Sequence, residues 1–169
     1  MTQKKLLLAL AIAVIMTTVH GCGSKTPAAT SATKKPGFDF AVQDLDGKAV
    51  RVSDHLGKAV VVNFWAIWCG PCRSEMPDLN AVYRQYRDKG LVVLAVNVSE
   101  GSAAIKSYAQ QQGLVLPMLR DAGNAVGRAL SIDALPTTFF IDREGQLRHK
   151  TIGAMRREYM VEQVEALLK

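Results

Sequence analysis

Apolar residues run unbroken from Leu6 to Met16, eleven positions directly behind Lys4 and Lys5. A basic start followed by an apolar stretch of that length has the make-up of an export signal. It falls short of the roughly 20 residues that cross a bilayer as a helix. From Gly23 to Gly37 the pattern vanishes: GSKTPAATSATKKPG is small and polar with two prolines, and predicts a flexible tether with no core of its own. Periodicity returns at Phe38. FDFAVQDLDGKAVRVSDH alternates apolar and polar residues about Asp46-Gly47, a hairpin pattern. Lys58 to Ala66 and Leu91 to Val98 are near-continuous apolar runs rich in valine, the signature of strands buried on both faces.

Between and after these strands the period changes to that of a helix. Met76, Leu79, Val82, Tyr83 and Tyr86 predict a helix over Cys72–Asp88, stopped by Gly90. A second helix is predicted over Ser102–Gln112, ended by Gly113. After a short LPMLRD segment comes a brief helix around Ala122–Leu130. Pro136–Asp142 reads as a strand opening on proline, Asp142–Gly145 as a turn, and Gln146–Ile152 as its partner strand. Met160, Val164 and Leu167 line one face of a last helix from about Arg156 to Leu168. Strand–helix–strand units closed by a hairpin and a helix predict an α/β fold around a mixed sheet. The layout is therefore an export signal over 1–21, a tether over 22–37 and one folded domain over 38–169.

Composition agrees with one sizeable core: 169 residues, 49% hydrophobic and 21% charged. The formal charge is +6, but Arg84, Arg87, Lys106, Arg128, Arg143, Arg148, Lys150, Arg156 and Arg157 are scattered, with no run and no interleaved aromatics. That is a solvated surface and not a nucleic-acid patch.

Three cysteines change the picture more than charge does. Cys22 closes VHGC, which resembles the lipobox of bacterial lipoproteins at Val19, Gly21 and Cys22, with His20 standing where a small or apolar residue is usual. Lipidation of Cys22 accounts for the odd cysteine best, and simple secretion or an uncleaved anchor stay open. Cys69 and Cys72 sit where a buried strand gives way to a helix. There the free N–H groups and the positive end of the helix dipole favour a thiolate. The sulfur of Cys69 is expected to be exposed and nucleophilic, and that of Cys72 to point inward and resolve a mixed disulfide. Gly70 permits the turn, and Pro71 fits a first helical turn, where its missing N–H costs nothing. A zinc site would need two further ligands, and His55 and His149 have no ligand spacing to the pair, so no metal is expected. A structural staple across three residues would constrain the unfolded chain little. A redox-active dithiol is the strongest reading.

FWA before WCGPC, Pro77 after it and Pro136 in LPTTFF together resemble thioredoxin. The signal and tether, the long stretch from Ser99 to Ala134, and Glu75 in CRSEMP resemble more closely the TlpA/ResA group of membrane-tethered extracytoplasmic thioredoxins, over about Phe38–Lys169. The resemblance implies a thioredoxin-like fold: a central mixed sheet with helices on both faces, an N-terminal hairpin, and a βα insertion before the strand that opens on a cis proline. It implies a cis Leu135–Pro136 bond packed against the cysteines, with backbone groups of Leu135 free to pair with an extended substrate segment. Thioredoxin has a buried aspartate where this chain has Asn63, which cannot titrate. The resemblance thus makes Glu75 the candidate acid/base for Cys72, against the plainer role of complementing the helix N-terminus. Trp65 is expected in the core and Trp68 on the docking surface for partners.

The implied activity is thiol–disulfide exchange outside the cytoplasm through Cys69 and Cys72, with no metal or organic cofactor. The substrates would be protein disulfides, apocytochrome c among them, and a membrane electron donor would re-reduce a monomeric protein. Gly-Pro between the cysteines is thioredoxin's dipeptide, whose couple lies near about −270 mV against about −120 mV for the oxidant DsbA, so a reductant is favoured. The alternatives are an oxidase or disulfide isomerase, a thiol peroxidase, and a non-enzymatic envelope binding module. The peroxidase reading lacks a threonine in the turn before Cys69.

Overall fold

A computed structural model gives the fold of residues 37–169. The expected export signal, Cys22 and all of the tether but Gly37 lie outside the described residues. At the centre is β3 (Ala59–Trp65), seven residues all buried, as its run of valines requires. It pairs in parallel with β4 (Leu91–Asn97) and antiparallel with β6 (Thr137–Ile141). Around them β1 (Ala41–Asp44), β2 (Ala49–Arg51), β5 (Met118–Arg120) and β7 (Leu147–Ile152) complete a mixed sheet of order β2-β1-β5-β4-β3-β6-β7.

Alternation along β3 sorts the core into two layers. Ala59, Val61 and Trp65 pack with Met76, Leu79 and Val82 of α1 (Gly70–Tyr86), Ile105 of α2 (Ser102–Gln111), and Met160, Val164 and Leu167 of α4 (Arg157–Leu168). Val60, Val62 and Phe64 face the other way, against Phe38 and Phe40 ahead of the hairpin, and Val126 and Leu130 at α3 (Ala125–Ala129). Helices therefore cover both faces.

Three predicted boundaries move. The hairpin forms about Gly47, at φ +90°, with the Asp44 carboxylate accepting the N–H groups of Asp46 and Lys48 at 2.9 Å each. Its second strand stops at Arg51, because Asp54 accepts the Arg51 N–H at 2.8 Å and draws Val52–His55 into a 3-10 turn. The first helix begins at Gly70, two residues early, with Cys69 as its cap. It tightens to 3-10 geometry over Arg87–Lys89 before the left-handed Gly90. LPMLRD holds a true strand, β5, inserted between β4 and β1.

Candidate active site

β3 delivers the chain to the site and α1 carries it away. Cys69 and Cys72 are joined by a disulfide, with Cα atoms 5.3 Å apart. Cys69 caps α1: its Sγ accepts the Cys72 N–H at 3.2 Å, and its carbonyl accepts the Arg73 N–H at 3.1 Å. The expectation of an exposed outer sulfur is corrected here. Cys69 is 4% exposed and Cys72 fully buried, because the closed bond folds both sulfurs against the start of the helix. Only the outer cysteine keeps an edge in solvent.

Trp68 stands beside that edge, 67% exposed, its indole N–H donating to Ser99 Oγ at 3.1 Å. Trp65 is fully buried and its ring packs on Tyr108 at 5.3 Å, so the two tryptophans divide as core and surface. The turn holding Trp68 is fixed from β4. The Glu100 carboxylate accepts the Ile67 N–H, and Asn97 Nδ2 donates to Glu100 Oε2 at 2.7 Å. Asn97 Oδ1 in turn accepts the N–H groups of Ser99 and Glu100 at 3.0 and 2.8 Å.

The Leu135–Pro136 peptide is cis, and Pro136 is buried. Leu135 packs against the core layer that contains both cysteines, and no backbone hydrogen bond among the described residues uses its N–H or carbonyl. Leu135 and Trp68 both line a groove of about 210 Å³, completed by Val98, Asn124, Ile132, Asp133 and Ala134. A larger hollow of about 460 Å³ lies between the β6–β7 hairpin and α4 and contains none of the redox residues, so volume alone does not mark the site.

Beneath the disulfide is a polar network inside an apolar layer. Glu75 is one helical turn beyond Cys72 and 1% exposed. Its Oε1 accepts Asn63 Nδ2 at 2.8 Å and its Oε2 accepts the Met155 N–H at 2.9 Å. Burial raises its carboxyl above the usual range, and those two hydrogen bonds oppose the rise. Asn63 also donates to Thr138 Oγ1 at 2.9 Å, its neighbour across the β3–β6 ladder. A buried carboxyl reached only by neutral donors can hold or give up a proton without an ion pair to anchor either form.

The structure thus gathers Cys69, Cys72, Glu75, Trp68, Leu135 and Pro136 at one end of the sheet, while Cys22 falls outside the described residues. Sequence reasoning missed Thr138, the Met155 N–H and Glu100. The first was legible as the strand partner of Asn63 once Pro136 had placed β6. Nothing in the sequence points to a backbone donor eighty residues away.

Residues 33–150 match the AhpC/TSA family. The thiol-disulfide oxidoreductase ResA of Geobacillus kaustophilus is 38% identical over 143 residues, covering 85% of this chain and 80% of that one. Among solved structures, a thiol:disulfide interchange protein of the thioredoxin family from Chlorobium tepidum superposes with a TM-score of 0.69 at 31% identity, covering 79% of this chain and 96% of that one. The exposed lipoprotein thioredoxin Etrx1 of Streptococcus pneumoniae gives 0.64 at 31% identity, over 77% and 100%.

Proposed function

The chain belongs to the AhpC/TSA family and within it to the ResA-type thiol–disulfide oxidoreductases, and from that premise we propose that it works as a reductant of protein disulfides outside the cytoplasm. The Cys69–Cys72 disulfide is its redox centre. In the reduced protein Cys69 attacks a partner disulfide, helped by the Cys72 N–H and the helix N-terminus, both of which favour negative charge on its sulfur. Cys72 then attacks Cys69 Sγ in the mixed disulfide, closing the bond and releasing the partner thiol. A membrane donor of thiol-reducing type returns the two electrons.

Glu75 serves as acid/base for Cys72, a role supported by its place one turn along α1, its burial and the absence of any titratable group at Asn63. An extended partner segment lies along the groove between Trp68 and Leu135, pairing with the free backbone groups of Leu135. Apocytochrome c is one disulfide substrate consistent with this chemistry. Among the described residues no helix is long and apolar enough to cross a membrane, and anchoring is assigned to a lipid on Cys22.

The observation that carries the direction is Gly70-Pro71 between the cysteines. The test is the equilibrium reduction potential of the purified protein against glutathione. We expect a value near thioredoxin's, about −270 mV, and a value near about −120 mV would make the protein an oxidant.

A further inference from the structure

Asn63 is fully buried, and its two ends are treated unequally. Nδ2 donates twice, to Glu75 Oε1 and to Thr138 Oγ1, while Oδ1 is buried with no partner among the described residues. Thr138 accepts one of those bonds, and among the described residues its own hydroxyl proton has no acceptor. Glu75 Oε2 is held by the Met155 N–H, a group that only donates.

This arrangement fits an ionised Glu75, with one N–H on each carboxylate oxygen. A proton added to the carboxyl would meet a donor on either side unless one partner changed role. The Met155 N–H has no second role. Asn63 has one: a half-turn of its amide exchanges the NH₂ group and the carbonyl. Oδ1 would then accept from a protonated Glu75 Oε1 and from the Thr138 hydroxyl, which passes from acceptor to donor. Nδ2 would take the unpartnered place that Oδ1 holds now. Both arrangements make the same number of hydrogen bonds and leave one end of the amide without a partner. The orphaned oxygen is therefore what allows two protonation states to coexist in a closed core, since an amide satisfied at both ends would lock one of them in place.

We infer that Asn63, together with Thr138, is a hydrogen-bond adaptor whose amide turns over so that buried Glu75 can take and release a proton at Oε1. The inference rests on the acid/base reading of Glu75. Asn63 and Thr138 are both fully buried, out of reach of a substrate, and act as positioning residues. During resolution the Cys72 thiol gives its proton to Glu75 Oε1, and Asn63 turns to accept from it. The Cys72 thiolate attacks Cys69 Sγ and the Cys69–Cys72 bond forms. The bond from Cys69 to the partner sulfur breaks with its electron pair on the partner, which takes a proton from water. Glu75 then loses its proton to water, and Asn63 returns to the orientation found with the closed disulfide. Few other groups bear on this step. Glu75 meets Asn63 from β3, Thr138 of β6 through Asn63 and the Met155 N–H ahead of α4, and it stands one turn beyond Cys72 on its own helix. The neighbouring charged side chains Arg73 and Arg156 are exposed and donate nothing to it.

The test is an NMR pH titration of the reduced protein, following the Glu75 carboxyl carbon and the Asn63 side-chain amide. We expect both to move with one midpoint, and the contacts of the amide protons with Thr138 to be lost as Glu75 gains its proton. Asn63→Leu removes a charge-assisted bond from the ionised form and only a neutral one from the protonated form. It should raise the Glu75 midpoint by about one pH unit. An Asn63 amide that keeps its shift and contacts while Glu75 titrates would overturn the adaptor alone, whether or not Asn63→Leu folds. A Glu75 carboxyl that does not titrate, with a resolution rate whose pH profile is unchanged in Glu75→Gln, would remove the acid/base reading and the adaptor with it.

Discussion

At the scale of the residue, Glu75 sets the terms of the site, because a carboxyl 1% exposed stands where an apolar side chain would pack without cost. Burial raises its pKa in the folded protein above that of the unfolded chain, with the Met155 and Asn63 bonds opposing. For a group raised on folding, the sign follows directly. Below the ordinary carboxylate range both states hold the proton and burial is harmless. As pH rises through the folded-state value, the folded protein must bury a charge and loses stability relative to a neutral side chain. Glu75→Gln should therefore be more stable than wild type at neutral pH. The difference should shrink as pH falls, changing by at most about 1.4 kcal/mol per pH unit inside that window and flattening below about pH 4. Urea unfolding of both proteins from pH 4 to 8 would check it, and a constant difference would mean that Glu75 carries no raised pKa. Glutamine also fits the network: its carbonyl suits the Met155 N–H, and its NH₂ group suits a turned Asn63.

At the scale of the element, the site depends on how the end of β4 grips the turn ahead of α1. Glu100 is the connection, accepting the Ile67 N–H while Asn97 holds it in place. Glu100→Ala should release Trp68 and the approach to Cys69. We expect faster hydrogen exchange at the Ile67 amide, stability lower by about 1–2 kcal/mol, and a lower kcat/KM toward a disulfide substrate. An Ile67 amide that exchanges as slowly as before would show that the turn is held by other means. Elements of this kind were unevenly legible in the sequence. Strands β3 and β4 and helices α1 and α4 announce themselves, because apolar periodicity over seven or more residues reports burial directly. β5 has three residues and is a strand only because β1 and β4 stand on either side of it, so its identity belongs to the tertiary fold. The same holds for β2, cut short by one carboxylate, Asp54.

At the scale of the whole molecule, the redox couple and the fold are one thermodynamic system. The cysteines, Pro136 and Glu75 were legible because their chemistry sits in local motifs, whereas Thr138 and the Met155 N–H reach the site only when β6 and the loop before α4 close over α1. The whole fold therefore bears on which form of the pair is favoured. A disulfide that resists reduction in the folded protein must stabilise that fold relative to the dithiol, and one that is readily reduced must destabilise it, as with oxidants whose reduced form is the more stable. For a two-electron couple about 30 mV corresponds to about 1.4 kcal/mol, so the span from about −270 to about −120 mV amounts to roughly 7 kcal/mol of difference between the two forms. A shift of that size is far outside the error of a denaturation curve. If the protein is a reductant, the disulfide form will unfold at a higher urea concentration than the dithiol form, and Cys72→Ala will resemble the dithiol. If the dithiol form is the more stable, the direction of electron flow proposed here is reversed. Unfolding both forms of the purified protein thus decides between reductant and oxidant without knowledge of the partner or the donor.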